Sequence, residues 1–206
     1  MNPELQHYNI LRTLGAGGMG EVFLAEDARL HRKVALKFLS REAAQDREHR
    51  QRFLREARAA AALNHPGICT IHEVGETEDG RPFIALEWLE GSTLEAQPRS
   101  GKYEMGDILA IGCQAAEALR EAHEKGVIHR DIKPANMHWD DKGRLKLLDF
   151  GLAKVMEERE IGEDAPTELQ TMTGHMMGTP RYMSPEQALG QKVDSRTDLF
   201  SLGAVL

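Results

Sequence analysis

Up to about Leu86 the chain reads as short strand-like runs with one helical stretch; beyond it, apolar positions recur mainly at helical spacing. Tyr8-Asn9-Ile10-Leu11-Arg12-Thr13-Leu14 has β-type composition and leads into Gly15-Ala16-Gly17-Gly18-Met19-Gly20, after which Glu21 to Ala25 reads as a second strand. A glycine-rich turn between two strands signals a hairpin. In a third run, Lys33 to Leu39, successive side chains alternate between faces. Val34, Leu36 and Phe38 share one face; Lys33, Ala35 and Lys37 share the other. Two further strand-like runs, Ile68 to Val74 and Arg81 to Trp88, flank the Glu78-Asp79-Gly80 turn.

Asp46 to Leu63 is helical in pattern, with Phe53, Ala57, Ala60 and Ala61 on one apolar face, and Asn64-His65-Pro66-Gly67 ends it. Glu56 falls on that same face, and a carboxylate aimed inward needs a partner. Ser92-Thr93-Leu94-Glu95 has the capping-box pattern and predicts a short helix that Pro98 stops. Met105 to Lys125 predicts a long amphipathic helix with Ile108, Ile111, Ala115, Leu119 and Ala122 buried and Gly126 just past its end. The change of pattern at Glu87 to Gly91 predicts a hinge between two lobes. Met156 to Gln170 carries six carboxylates against Arg159 alone and predicts a mobile acidic loop. The last run, Ser201 to Leu206, is apolar without a stop signal and reads as a helix cut in mid-course.

Composition narrows the class without naming a function. With 41% hydrophobic and 29% charged residues, the 206-residue chain is of ordinary globular make-up, which excludes a disordered tail, a collagen-like repeat and a disulfide scaffold. No run approaches the ~18–20 apolar residues of a membrane helix, and no apolar leader follows Met1. A net charge of −7 argues against a nucleic-acid partner. Cys69 and Cys113 lie outside any CxxC pattern and read as reduced thiols, and the histidines form no HExxH, which argues against zinc.

The chemistry begins with Gly15, Gly17 and Gly20, a G-x-G-x-x-G that alone fits either a dinucleotide fingerprint or a flexible turn. The dinucleotide version needs a helix directly after the glycines, whereas Glu21-Val22-Phe23-Leu24 reads as a strand. A glycine hairpin instead lets backbone N–H groups approach a phosphate with no Cβ in the way. Lys37 lies in an apolar strand, and one strand followed by one helix could bring it to Glu56. His129-Arg130-Asp131-Ile132-Lys133-Pro134-Ala135-Asn136 precedes a strand, Leu145 to Leu148, that ends in Asp149-Phe150-Gly151. Asp, Lys and Asn at these offsets form a metal-plus-phosphate constellation, because Mg²⁺ takes hard oxygen ligands and keeps several waters.

With these motifs in order, followed by Gly178-Thr179-Pro180, Ser184-Pro185-Glu186 and Asp198, the chain resembles the eukaryotic-like protein kinases from Tyr8 to Leu206, and in detail their bacterial serine/threonine branch. The resemblance implies an α+β, two-lobe protein-kinase-like fold. A β-rich N-lobe with one main helix would span about 8–86, a hinge about 87–91, and a mainly helical, incomplete C-lobe about 92–206. It implies ATP bound by Leu14, Gly15, Ala16, Gly17, Gly18, Met19, Gly20, Val22, Ala35, Lys37 and the backbones of Glu87 and Leu89, behind a Leu86 gatekeeper. Lys37 would contact the α- and β-phosphates and be held by Glu56. Asp131 would accept or orient the substrate hydroxyl proton, Lys133 would neutralise the transferring phosphoryl group, and Asn136 and Asp149 would hold Mg²⁺, or Mn²⁺ in its place.

At Lys133 and Thr179 the resemblance is to the serine/threonine branch, which implies Ser/Thr rather than Tyr substrates, with Thr179 shaping the substrate groove. The resemblance also implies, through Arg130 before Asp131, activation-loop phosphorylation, for which Thr171 and Thr173 are the candidates and Thr167 a weaker one. The implied partners are protein substrates, with a homodimer for trans-autophosphorylation, no nucleic acid, and no membrane segment in this chain. The implied location is cytoplasmic, either free or as the cytoplasmic domain of a membrane-anchored parent. The departures from the family pattern are Ser184, the Met137-His138-Trp139 strand (no function is assigned to His138), a long Asp149-to-Glu186 segment, and the missing later C-lobe helices. That last departure predicts an exposed face at Leu199, Leu202 and Val205 and an unpaired Glu186. It also leaves an alternative, a catalytically weak nucleotide-binding fragment or pseudokinase-like scaffold.

Overall fold

Three strands at the start of the chain, β1 (Tyr8–Gly17), β2 (Gly20–Asp27) and β3 (Arg32–Leu39), form an antiparallel meander. The computed structural model describes residues 5, 7–17, 20–97, 103–150 and 180–206. The first hairpin closes on Gly20 at φ +126°, where a Cβ would sit 1.9 Å from the Phe38 carbonyl oxygen, so only glycine fits. β4 (Ile71–Glu76) and β5 (Pro82–Glu87) complete a five-stranded sheet in the order β1-β2-β3-β5-β4.

Alternation gives this sheet two different faces. On one, Phe23, Ala25, Val34, Leu36, Phe38, Phe83 and Ala85 pack together with Tyr8. On the other, Leu39, Ile84 and Leu86 pack against Phe53 and Ala57 of α2 (Arg47–Ala61) and Ala43 of α1 (Arg41–Gln45). Asp46 separates the two helices and caps α2, accepting the N–H groups of Glu48 and His49. α2 matches the helix expected from Asp46; α1 is an additional short helix that starts on its own cap, Ser40. Ala61 is exposed, not part of the buried face, because α2 ends there.

The second half is organised around α3 (Met105–Glu124). Its Ile111, Ala115, Ala118, Leu119 and Ala122 pack against Ile68, Ile132, Met137, Leu145, Leu147, Phe150 and Leu202. The helix ends in a Schellman turn: Val127 N–H bonds Ala122 O, Gly126 N–H bonds His123 O, and Gly126 takes φ +73°. A small sheet of β6 (Ser92–Thr93), β7 (Met137–Trp139) and β8 (Leu145–Leu147) lies against it.

Ser92-Thr93-Leu94-Glu95 does not start a helix. Ser92 and Thr93 pair with Trp139 and His138, and only one turn follows, in which Ala96 N–H bonds Thr93. The ladder claims the backbone groups that a cap would use. Downstream come α4 (Pro185–Ala188) and α5 (Ser195–Val205), capped by Ser184 and Asp194. Leu202 is buried against α3 while Leu199 and Phe200 stay exposed, so only part of the expected apolar face is bare. Glu186 is not left without a partner either, since the Thr197 hydroxyl donates to it. Both cysteines are free thiols, and among the described residues no helix is long and apolar enough to cross a membrane.

Candidate active site

The chemistry-bearing residues meet where the large sheet faces the β7–β8 hairpin. Lys37 shares with Ala35 and Leu39 the face of β3 that looks toward α2, and lies opposite Val22 on β2 and Ile84 on β5. Only 6% of Lys37 is exposed, so its charge requires a partner. That partner is Asp149, with Nζ 2.9 Å from Oδ2. Glu56, expected to hold Lys37, is half-buried on α2, the helix packed on this face of the sheet. Asp149 lies two residues past the end of β8, and at φ +59° its carboxylate meets the lysine. Burial works against the Asp149 charge, but Lys37, by charge and hydrogen bond, with Lys133 beyond it, holds the carboxyl below its usual range.

The loop from His129 to Asn136 is fixed from three sides. Asn136, buried in a one-turn 3₁₀ segment opened by Pro134, donates Nδ2–H to both the Asp131 carbonyl and Asp131 Oδ2, each at 2.8 Å. Lys133 Nζ lies 2.8 Å from the same Oδ2. Fully buried His129 accepts the Asp131 N–H on Nδ1 at 3.3 Å, and its Nε2 lies 2.8 Å from the Leu148 carbonyl oxygen. A neutral imidazole protonated on Nε2 satisfies both bonds, in keeping with the burial that lowers its pKa. Phe150 stacks on this ring at 4.5 Å.

Asp198, fully buried near the start of α5, anchors the loop from below. Its Oδ2 accepts the His129 N–H at 2.8 Å and lies 2.7 Å from His123 Nε2, while Oδ1 accepts the Arg130 N–H at 2.7 Å. Arg130 has φ +67°, costly for a side-chain-bearing residue, and this carboxylate holds it there. Gln187 of α4 donates to the Arg130 carbonyl at 2.8 Å, and the Arg130 Nε is buried with no hydrogen-bond partner among the described residues. The anchoring roles of His123, His129 and Gln187 were not legible in the pattern; Asp198 was singled out only as part of the ordered motifs.

The remaining expected residues are spread along the same rim. Leu14, Gly15, Ala16 and Gly17 lie on β1 and Gly20 and Val22 on β2, with Gly15 opposite Val22. Glu87 ends β5 and Leu89 follows it. Gly18, Met19, Thr167, Thr171, Thr173, Thr179 and the acidic stretch from Met156 to Gln170 lie outside the described residues.

A family model for the protein kinase domain matches residues 8–206. The chain belongs to the protein kinase family. Among relatives, it is 41% identical over 203 residues to the serine/threonine-protein kinase PknB of Mycobacterium leprae, covering 97% of this chain and 31% of that protein. It is also 41% identical to the serine/threonine-protein kinase pkn2 of Myxococcus xanthus, covering 96% of this chain and 23% of that one. The chain thus spans less than a third of these relatives' length. The crystal structure of the Mycobacterium tuberculosis PknI kinase domain superposes with a TM-score of 0.73 at 33% identity, covering 97% of this chain and 72% of that one. The large sheet with α2, and the helical half carrying the second sheet, are the two-lobe kinase architecture.

Proposed function

We propose that this chain is the catalytic domain of a serine/threonine protein kinase, with an N-lobe at about 8–86, a hinge at 87–91 and part of a C-lobe at 92–206. The observation that carries the reading is the convergence of Lys133 and Asn136 on Asp131 Oδ2, together with the pairing of Lys37 on the large sheet with Asp149 past β8. Phosphoryl transfer depends on positioning and charge neutralisation more than on covalent chemistry. Asp131, held by Asn136, accepts the proton of a Ser or Thr hydroxyl as the hydroxyl oxygen bonds to the γ-phosphorus and the bond from that phosphorus to the β–γ bridging oxygen breaks, ADP leaving with the bonding pair. Lys133 offsets the charge on the transferring group. Lys37 exchanges Asp149 for the α- and β-phosphates when nucleotide binds, and Glu56 then holds it.

Protein kinases use ATP and Mg²⁺. The residues present suit that cation. Asn136 uses its amide N–H groups on Asp131, and among the described residues its Oδ1 accepts no hydrogen bond, leaving a hard oxygen beside the Asp149 carboxylate as the donor set. Bound there, Mg²⁺ would neutralise phosphate charge. The glycines of the β1–β2 hairpin cover the phosphates, and the backbones of Glu87 and Leu89 hold the adenine edge. Thr171 and Thr173 are the proposed autophosphorylation sites, Thr179 is the residue proposed to select Ser and Thr substrates, and the domain acts in the cytoplasm.

The test is transfer of γ-labelled phosphate from ATP with Mg²⁺ to the chain itself and to a generic basic protein. Wild type is expected to transfer; Asp131→Asn and Lys37→Met are expected to lose transfer while remaining folded. Equal transfer in Asp131→Asn would exclude this assignment.

A further inference from the structure

We propose that Glu87 and Lys146 are positioning residues. They form a latch behind the hinge that keeps the nucleotide-holding backbone at 87–89 in register with the strand leading to Asp149. The inference rests on the kinase reading above and assigns work to two side chains that reading leaves idle.

Glu87 ends β5, so its backbone belongs to the large sheet, but its side chain turns to the other half of the molecule. Glu87 Oε1 accepts the Thr70 N–H at 2.6 Å and lies 2.6 Å from Lys146 Nζ. The Glu87 N–H in turn bonds the Thr70 carbonyl at 2.9 Å. Lys146 comes from β8, between Leu145 and Leu147, which are both buried in the core around α3. Period-two alternation therefore turns Lys146 to the opposite face of the hairpin, toward the hinge, beside its cross-strand neighbour His138. Its ammonium also reaches the Ile68 carbonyl at 3.5 Å.

The segment from Gly67 to Thr70 closes the junction. Leu147 N–H bonds Gly67 O at 2.8 Å and Cys69 N–H bonds Leu147 O at 2.9 Å, so this segment is tied to β8 by its backbone and to the hinge through Thr70. Hinge, connecting segment and β8 form a triangle, and the Glu87–Lys146 bond is the side that joins hinge to β8 directly. Asp149 lies just beyond that strand. Removing the ammonium leaves Glu87 its Thr70 bond and leaves Leu145 and Leu147 in the core. The loss therefore falls on the placement of 87–89 relative to Asp149 rather than on the fold. The pair is partly open to solvent, with side-chain exposures of 26% and 20%, which limits its share in stability.

The experiment compares wild type, Lys146→Met, Lys146→Arg and Glu87→Gln by the Kd for ADP, the KM for ATP, kcat and Tm. Loss of one charge-assisted hydrogen bond at a site that sets nucleotide geometry predicts that Lys146→Met raises Kd and KM together by about tenfold. kcat at saturating ATP should change less than about twofold, since the groups at Asp131 are untouched. Lys146→Arg, which keeps the charge, should return most of the affinity. If Lys146→Met lowers Tm sharply, Glu87→Gln carries the test, because its amide oxygen keeps the Thr70 bond; it too should raise Kd and KM. Wild-type Kd and KM in both variants would overturn the latch, as would a rise in kcat at constant KM, which would make the pair a restraint on turnover. A wild-type chain that neither binds ADP nor transfers phosphate would overturn the kinase reading and the latch with it.

Discussion

Replacing Asp198 by Asn tests how the catalytic loop is held. The carboxylate is fully buried and serves three donors: His129 N–H, Arg130 N–H and His123 Nε2. Asn has nearly the same shape but one acceptor fewer. With its oxygen in the place of Oδ2 it keeps His129 and His123, and its NH₂ then faces the Arg130 N–H, donor against donor. A buried donor left unsatisfied costs about 1–3 kcal/mol. Arg130 is moreover held at φ +67°, a conformation that itself costs about 1–3 kcal/mol and persists only while its surroundings enforce it. A loss of about 2–3 kcal/mol is expected. With a urea m-value of about 2–3 kcal/mol/M, this is a fall of about 1 M in the unfolding midpoint. Because Arg130 adjoins Asp131, phosphoryl transfer should fall by about tenfold or more even where the variant is fully folded. Urea unfolding followed by circular dichroism, alongside the labelled-phosphate assay, reads both. A midpoint within about 0.2 M of wild type together with undiminished transfer would refute the reasoning.

Gly20→Ala places a methyl against the Phe38 carbonyl at a φ that L-residues avoid, so it should cost about 2–4 kcal/mol and weaken nucleotide binding, read by thermal melts and ADP titration; a wild-type melt would contradict it. Burial holds His129 below the ordinary imidazole pKa, so as pH falls below about 6.5 the unfolded chain binds protons first. Stability from this group is therefore complete above that pH and lost progressively beneath it; urea midpoints between pH 7.5 and 5 that rise on acidification would oppose this. Cys113 is exposed, while burial pushes the half-buried Cys69 thiol well up, so a disulfide reagent should modify Cys113 fast in the native state and Cys69 only slowly. Equal rates before unfolding would exclude that difference.

Much of the fold was legible because burial imposes periodicity on sequence. Val34, Leu36 and Phe38 alternate with Ala35, Lys37 and Leu39; the first set lies in one core, Leu39 with Ala35 packs in the other, and Lys37 on that second face pairs with Asp149. The stripe of α3 and its Gly126 stop also emerged, except that Ile108 in the first turn is only half-buried and Ala118 joins the buried face. Local chemistry misled where a tertiary partner outbid it. Ser92-Thr93-Leu94-Glu95 has the residues of a helix cap, yet the unpaired edge of β7 takes Ser92 and Thr93 into a ladder. Within 46–63 the helix starts where the pattern puts it, on the Asp46 cap, because that carboxylate accepts two N–H groups; the short α1 before it carried too few residues to show a helical period.

The same division runs through the active site. The sequence by itself determined which groups are present and their order along the chain: the glycines, Lys37, Asp131, Lys133, Asn136 and Asp149. Those choices follow from the chemistry of a phosphate and a hard cation, and they are written as residue types at set offsets. Tertiary structure alone decided which charges meet. Lys37 has carboxylates within reach of a strand and of a helix, and sequence spacing cannot rank them. The approach of β8 to β3 brings Asp149 to the ammonium. Likewise no spacing rule joins Asp198 to His129 and Arg130, or Glu87 to Lys146; those bonds exist because buried or half-buried polar groups must find partners among whatever the packing sets beside them.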